Sequence, residues 1–320
     1  MPEGHTVHRL ARALAELYGG RRLAASSPQG RFSAGAERID GQVLLSATAH
    51  GKHLFAAFGP QADMSIEDGA VTWLRVHLGL YGSWTFDGDE TFTAPHAIGA
   101  PRRRVGERGE QALDPQDRRA GTGPQALEPV GRWRPPEPRG AVRLRLEGEH
   151  GVADLTGPAA CELLDAEAVA AVRRRLGPDP LDPAADPQHF LDGARRRRTP
   201  VGELVMDQSL IAGAGNIYRA EVLFRAALSP FTPGRQVPED RLRLLWEDLV
   251  VLMGRGLETG RIVTVEEADV PDPLPEDDSE AGRWYVYHRA GRHCLRCGGE
   301  VGQAEAAGRR LFWCPSCQER

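Results

Sequence analysis

Four cysteines near the C-terminus place the strongest constraint on how this chain folds. Cys294 and Cys297 form one CxxC pair, Cys314 and Cys317 form a second, and sixteen residues separate the pairs. This spacing lets four thiolates converge on one tetrahedral zinc ion, with a β-hairpin between the pairs. We predict one structural zinc ion, whose binding supplies folding free energy that so short a segment cannot obtain from a core.

The remaining sequence indicates the cell compartment. No run of about 18 apolar residues is present, so we expect no membrane span. The N-terminal stretch lacks the apolar centre of a secretory signal. We therefore expect a cytoplasmic bacterial protein with reduced thiols, which favours metal binding over disulfides for the cysteine pairs.

The net charge of −5 is unevenly distributed. Residues 265–280 contain eight acidic residues and no basic one, and without them the net charge would be +3. A locally basic surface is sufficient to contact nucleic-acid phosphates, so the overall charge does not exclude a nucleic-acid partner.

One lysine and one asparagine stand out in the composition. Arginine accounts for all but one of the 40 basic residues, and the exception is Lys52. Asn216 is likewise the only asparagine. Arginine does not lose its proton at working pH and differs from a compact ammonium in shape. These two positions are therefore candidates for a catalytic or binding role. The alternative interpretation is that each residue has been retained by chance.

Hydrophobic periodicity predicts two structural regimes. A helix over residues 5–18 is followed by short apolar runs typical of a β-sandwich or barrel. Residues 87–140 are rich in Pro, Gly, Arg and Glu, and we interpret them as a disordered or loosely ordered insertion. Helical patterns follow the second group of strands. The predicted strands are 42–47, 53–58, 71–76, 80–86, 141–146 and 151–155. The predicted helices are 166–176, one that begins at 186–188, 200–208, 216–226 and 238–258.

Six short segments in chain order resemble the Fpg/Nei family of DNA glycosylases, and its endonuclease VIII side in particular. The cysteine pairs alone are specific, whereas the others gain weight from their order. The segments are PEG at 2–4, GKHLF at 51–55, HLGLYG at 77–82, RLGPDPL at 175–181, LVMDQSLIAGAGNIY at 204–218, and the cysteine pairs.

The resemblance implies an α+β fold in four parts. An N-terminal two-layered β-sandwich catalytic domain is expected over 1–155. A helical helix–two-turn–helix (H2TH) DNA-binding domain is expected over 156–264. An acidic mobile loop over 265–283 and a C-terminal zinc-finger hairpin over 284–320 complete the chain. We expect a monomer with DNA between the first two domains.

The resemblance also implies a catalytic set. After removal of Met1, Pro2 presents a secondary amine that can attack C1′ of the damaged nucleotide and form a Schiff base. Glu3 resembles the family's acid, which protonates the ribose ring oxygen. Lys52 resembles the lysine that binds phosphate and donates a proton in β-elimination, and Arg309 the arginine associated with δ-elimination.

Four further residues match DNA-binding positions of the family. Asn216 and Arg175 correspond to contacts with backbone phosphates. Leu80 and Tyr81 correspond to a wedge that fills the gap left by an everted nucleotide, since chemistry at C1′ requires the base to leave the stack. Burial in the sandwich core is the alternative for Leu80 and Tyr81.

Three positions depart from the family pattern. His5 and Thr6 stand where the family often has Pro-Glu, which puts any role of a second early carboxylate in doubt. Gly79 stands where the endonuclease VIII type often has a longer polar side chain, which weakens the expectation for opposite-strand recognition.

Together these features predict a bifunctional DNA glycosylase and AP lyase of base excision repair that acts on oxidised bases, with pyrimidines favoured. The partner is damaged double-stranded DNA, with single-stranded or bubble DNA left open. Oxidised purines such as formamidopyrimidine or 8-oxoguanine are the alternative substrates. A non-catalytic zinc protein that binds damaged DNA is the alternative function. The preferred lesion and the balance of β- and δ-elimination stay open.

Overall fold

The computed structural model describes residues 2–100, 133–278 and 280–318. It confirms the predicted α+β class, with an N-terminal β-sandwich, a helical region and a C-terminal β-hairpin. The elements up to the helical region are α1 (Gly4–Tyr18), β1 (Arg22–Ser26), α2 (Ser33–Ile39), β2 (Gln42–His50), β3 (His53–Gly59), β4 (Thr72–His77), β5 (Ser83–Gly88), β6 (Ala97–Gly99), β7 (Val142–Glu147), β8 (Gly151–Thr156) and β9 (Ala160–Leu164).

Strand β1 joins the two layers of the sandwich. Its first two residues pair with β2, and residues 24–26 pair with β7. One layer therefore runs β1-β2-β3-β4-β9 and the other β6-β5-β8-β7-β1. Because β9 pairs with β4, the sandwich continues to Leu164, past the boundary predicted at residue 155.

The sandwich core lies between the layers and under α1. Leu54 and Leu74 from one layer pack with Trp84 and Leu155 from the other, and Leu10 of α1 belongs to the same cluster. Helix α1 buries its apolar stripe at helical spacing, as the sequence pattern predicts. This packing attaches the N-terminal residues firmly to the sandwich.

The helical region and the hairpin share a second core. Phe224 and Leu249 pack in one cluster with Phe312 and Cys314 of the hairpin. The hairpin is therefore continuous with the helical region rather than an independent module. The elements are α3 (Ala166–Arg174), α4 (Gln188–Arg195), α5 (Val201–Leu204), α6 (Asn216–Arg225), α7 (Glu239–Thr259), β10 (Gly302–Ala306) and β11 (Arg309–Trp313).

The predicted insertion at 87–140 needs a correction at its beginning. Residues 97–99 form β6, which pairs with β5, and Ile98 is buried in the sandwich core. Phe92 packs against the same core. The prediction of disorder was wrong here because two isolated apolar residues are enough to attach a short, otherwise polar segment. Residues 101–132, the middle of the predicted insertion, lie outside the described residues.

The acidic segment 265–280 was predicted to be mobile, and its contacts contradict this. Glu266 accepts a hydrogen bond from Arg225 at 2.7 Å. Asp278 forms an ion pair with Arg289 at 2.8 Å, and both side chains are buried. The prediction failed because it considered repulsion from DNA and not attraction to the chain's own arginines. In the described parts of the chain, no helix is long and apolar enough to cross a membrane.

Candidate functional site

A cavity of about 580 Å³ lies where the sandwich, the helical region and the hairpin meet, and we call it the central cavity. Pro2 and Lys52 line it from the sandwich side. Gln208 and Arg219 line it from the helical region, and Arg309 lines it from the hairpin. Pockets of about 300–1,000 Å³ accommodate small organic groups. The central cavity therefore collects three residues of the predicted catalytic set.

Glu3, the fourth predicted catalytic residue, is fully buried next to Pro2. One carboxylate oxygen accepts the backbone N–H of Gly215 at 2.9 Å, and the other accepts that of Ile217 at 2.9 Å. The backbone N–H of Gly4 donates to the carbonyl of Gly213 at 2.9 Å. These contacts hold the N-terminal segment against the start of α6, so Glu3 has a fixed orientation.

Gly215 is required by the position of Glu3. A Cβ at residue 215 would lie 2.4 Å from Cδ of Glu3 and 2.6 Å from one of its oxygens. A Cβ atom does not approach unbonded heavy atoms this closely, so any side chain here would displace the carboxylate. The glycine in the AGAGN stretch thus has a steric reason that the sequence did not reveal.

Glu3 and Lys52 perturb each other in the interior. Burial raises the pKa of Glu3, while the charge of Lys52 and the two backbone N–H donors oppose the rise. Burial lowers the pKa of Lys52, which Glu3 opposes. The Lys52 ammonium donates to the carbonyl of Ala214 at 2.7 Å. A carboxyl with a raised pKa is suited to general acid chemistry, and a lysine with a lowered pKa to proton transfer.

Asp179 joins the N-terminal helix to the turn that carries Lys52. Its Oδ2 lies 2.7 Å from Nε2 of His8 on α1, and it also accepts the N–H of Gly51 at 2.6 Å. The hydrogen bonds from His8 and Gly51 hold the pKa of Asp179 below its usual range against the opposing effect of burial. Asp179 therefore positions two parts of the site at once, a role that sequence reasoning missed.

Asn216 connects α6 to the hairpin. Its side-chain amide donates to the backbone carbonyl of Arg310 at 2.9 Å, next to Arg309. The side chain is largely buried, and its carbonyl oxygen accepts a hydrogen bond from Arg219. The unique asparagine thus lies at the central cavity region and holds the strand that presents Arg309.

The predicted wedge residues lie in the turn between β4 and β5. Leu80 is 52% exposed and Tyr81 is 70% exposed. The alternative that both belong to the sandwich core is therefore wrong. The strand predicted to begin at residue 80 begins at Ser83, because residues 78–82 turn at the end of β4. Leu80 lines the central cavity.

Arg175 lies elsewhere. It follows the last residue of α3 and lines a second cavity of about 460 Å³ with Arg174, Arg196 and Arg197. Among these, Arg197 also lines the central cavity. The structure therefore separates Arg175 from the predicted catalytic set and places it in a basic groove of the helical region.

The four cysteine sulfurs cluster as the spacing predicts, all within 4.8 Å of one another. The Sγ atoms of Cys294 and Cys317 are 3.8 Å apart, and those of Cys297 and Cys314 are 3.5 Å apart. Four ligands at about 2.3 Å around a tetrahedral zinc ion have sulfur separations of about 3.8 Å. The cluster therefore has the dimensions of a closed structural metal site.

Two more cavity residues were absent from the predicted set. His77 ends β4, its ring centroid lies 4.8 Å from that of His53 with the two planes tilted by 51°, and burial lowers the pKa of His77. Gln208 donates to the carbonyl of Ala214 at 2.9 Å and accepts the N–H of Gly213 at 3.0 Å. Both residues lie inside the quoted family segments, and that location was the available signal.

Comparison with family models matches two parts of the chain. The model of the formamidopyrimidine-DNA glycosylase N-terminal domain matches residues 1–120. The model of the formamidopyrimidine-DNA glycosylase H2TH domain matches residues 176–267. These matches cover the sandwich side and the helical side of the central cavity.

Similar proteins extend the match. Endonuclease 8 1 from Mycobacterium tuberculosis is 39% identical over 323 residues, which cover 99% of this chain and 100% of the relative. Formamidopyrimidine-DNA glycosylase from Thermus thermophilus is 39% identical over 145 residues, or 45% of this chain and 54% of the relative. A Lactococcus lactis FPG mutant, solved in complex with DNA containing Fapy-dG, has a TM-score of 0.68 at 20% identity. That match covers 100% of both chains and shows a common fold.

Proposed function

Since this chain belongs to the Fpg/Nei family of bifunctional DNA glycosylases and AP lyases of base excision repair, we propose that it removes oxidised pyrimidines from damaged double-stranded DNA. One observation carries the proposal. Pro2, Lys52 and Arg309 come from distant parts of the chain and line one cavity, with the buried carboxyl of Glu3 beside them.

Base excision begins at the N-terminal amine. Once Met1 is removed, Pro2 carries a secondary amine with a pKa of about 8, so part of it is unprotonated near neutral pH. The nitrogen lone pair forms a bond to C1′ while the bond from C1′ to the base breaks. The amine loses its own proton to the departing base. Glu3 gives its proton to the ribose ring oxygen, the bond from C1′ to that oxygen breaks, and the nitrogen lone pair completes the C=N bond of an iminium.

Strand cleavage follows from the iminium. Loss of a proton from C2′ lets the bond between C3′ and its phosphate oxygen break, which is β-elimination. Lys52 binds phosphate and donates a proton to the departing phosphate oxygen, while the C2′ proton passes to solvent. Arg309 holds phosphate from the hairpin side and supports δ-elimination at the 5′ phosphate. Hydrolysis of the remaining C=N bond frees Pro2 for another turnover.

Other residues hold the DNA. Leu80 and Tyr81 are exposed beside the cavity, which supports their role as a wedge in the gap of an everted nucleotide. Asn216 uses one amide N–H for the Arg310 carbonyl, and an amide has a second N–H that can meet a phosphate. Arg175 and its neighbouring arginines contact the backbone farther along the duplex.

The structural zinc ion belongs to the same proposal. Cys294, Cys297, Cys314 and Cys317 would hold it in a closed tetrahedral site. When bound, the ion stabilises the hairpin that presents Arg309 and takes no part in catalysis. We retain the four-part division of the chain, with the sandwich extended to residue 164 and the acidic segment attached rather than mobile, and a monomer acting on duplex DNA.

Oxidised purines are the second candidate substrate class. The match to formamidopyrimidine-DNA glycosylase over 45% of the chain favours them. The full-length match to Endonuclease 8 1 supports the endonuclease VIII side of the resemblance, on which the expectation of pyrimidines rests. Duplexes that carry thymine glycol, dihydrouracil or 8-oxoguanine separate the two. We expect faster single-turnover excision of the pyrimidine lesions, and faster excision of 8-oxoguanine would reverse the assignment.

Borohydride trapping tests the mechanism. Incubation with abasic-site duplex and borohydride reduces the iminium to a stable covalent adduct, which denaturing electrophoresis detects. We expect an adduct with the mature protein and with Lys52→Ala. A variant with one extra residue before Pro2 converts the proline nitrogen to an amide and should give no adduct. An adduct with this blocked variant, or none with the mature protein, would refute Pro2 as the nucleophile.

A further inference from the structure

Arg219 is a buried cation that the proposed chemistry does not use. It lies on α6, three residues after Asn216, and its exposed fraction is 0%. Even so, its side chain lines the central cavity together with Arg309. Buried arginines are normally paired with an acceptor or an anion, so its surroundings need an explanation.

The guanidinium of Arg219 is only partly satisfied. Its Nη2 donates to the carbonyl of Arg310 at 2.9 Å and to the side-chain oxygen of Asn216. Its Nε and Nη1 have no hydrogen-bond partner among the described residues. Because a guanidinium has five N–H groups, three of them are left without an acceptor in a side chain that lines the cavity. Buried donors without acceptors are unfavourable, and a ligand oxygen would relieve this.

The electrostatics favour a charged ligand over a neutral one. Burial and, to a smaller extent, the charge of Arg309 lower the pKa of Arg219 to about 10, while Glu203 opposes the decrease. The group therefore keeps its positive charge at neutral pH. Two mutually repelling arginines face one cavity, and an anion between them would reduce the repulsion. A neutral base carbonyl would satisfy the donors but would not offset the charge.

We propose that Arg219 binds a non-bridging phosphate oxygen of the damaged strand, at the nucleotide that enters the central cavity. The inference rests on the proposed function and adds a second phosphate-binding residue on α6, after Asn216. Its contacts to Asn216 and the Arg310 carbonyl orient the guanidinium, so that Nε and Nη1 point to the ligand. The same contacts connect phosphate binding to the placement of Arg309.

The test measures binding to a duplex with a tetrahydrofuran abasic analogue, which has the phosphates but neither a base nor a reactive C1′. Two variants separate charge from structure. Arg219→Gln retains an amide that can donate to the Arg310 carbonyl, whereas Arg219→Met removes both functions. Arg38→Gln on the exposed face of α2 is the matched control. Thermal unfolding and bound zinc are measured for every protein to confirm that the hairpin is intact.

We expect both Arg219 variants to bind about tenfold more weakly near 0.1 M salt. We also expect the slope of log Kd against log salt to fall by about one, the contribution of one phosphate contact. The control variant should match the wild type in both quantities. A loss in Arg219→Met that Arg219→Gln restores, with the wild-type slope, would mean that Arg219 only positions the hairpin. That result would overturn the proposal.

Two further results would also count against it. Unchanged affinity and slope in both variants would show that the charge meets no phosphate. Weaker binding only to duplexes that carry a damaged base would make Arg219 a base-reading residue. Wild-type binding to the tetrahydrofuran duplex is compared with borohydride trapping on abasic DNA. Binding without an adduct would refute the proposed function while the slope data still decide the role of Arg219.

Discussion

Two carboxylates differ in their surroundings at α6: Glu221 belongs to this helix, and Glu3 lies against its first turn. Both are fully buried, and burial raises the pKa of each. Both also accept backbone N–H groups that oppose this rise. By residue type, burial and direction of the pKa shift, the two are the same kind of group.

Their neighbours make the difference. Glu221 accepts the three consecutive backbone N–H groups of residues 285–287 at 2.8–2.9 Å, and the hydroxyl of Thr264. Glu3 accepts only two N–H groups, feels the charge of Lys52, and adjoins Pro2 at the central cavity. A buried acid with a raised pKa therefore indicates a reaction site only where a cation and an accessible cavity accompany it.

The substitution Glu3→Gln should have the largest effect on chemistry. It keeps the shape and removes the acid, so single-turnover base excision should fall by about 100- to 10,000-fold. Rapid-quench assays on a lesion duplex measure the rate, and Kd for the same duplex should change little. Excision within threefold of the wild type would show that Glu3 is as structural as Glu221.

The matching substitution Glu221→Gln should act on stability instead. Four donors converge on its two oxygens, and an amide nitrogen would face at least one of them. We expect the free energy of unfolding to fall by about 3 kcal/mol, measured by urea denaturation. Base excision per folded molecule should stay at the wild-type rate. A tenfold slower reaction with unchanged stability would erase the distinction between the two carboxylates.

Gly215→Ala tests whether the position of Glu3 is as important as its identity. The added methyl would lie 2.4 Å from Cδ of Glu3. A displacement of this kind should slow base excision by about 100-fold. The control is Gly254→Ala, where a Cβ meets nothing within 4 Å and α7 should gain about 0.5–1 kcal/mol. Equal rates for the two alanine variants would contradict the steric account.

The pH dependence of base excision should show the smallest but most specific difference between the Glu3→Gln and Glu221→Gln variants. Glu3 acts as an acid only while protonated, and burial raises its pKa above the usual 4.5. Once the pH exceeds this raised pKa, the rate of base excision should fall by up to about tenfold per pH unit. Glu221→Gln should keep this descending limb and Glu3→Gln should lose it. A limb that persists in Glu3→Gln would belong to another group, such as Lys52, whose pKa is lowered by burial.

Much of the fold could be predicted because its signals are local. The spacing of the cysteine pairs, the apolar stripe of α1 and the alternation of the main strands each depend on a few neighbouring residues. Strands β1 and β9 and helix α2 were missed, since each is short and obtains its stability from pairing or packing rather than from its own pattern. The attachment of segment 265–280 was missed for a similar reason, because its arginine partners are distant in sequence.

The contrast between local signals and contacts distant in sequence also holds for the candidate site. Residue identity and order alone singled out Lys52, Asn216 and the four cysteines, because composition and spacing are properties of the chain itself. The contact between Glu3 and Gly215 joins residues 212 positions apart, and Asp179 meets Gly51 across 128 positions. No local pattern encodes such contacts. The pKa of Glu3, the room that Gly215 leaves for it, and the available donors of Arg219 depend on burial and distance, which exist only once the two cores have packed together.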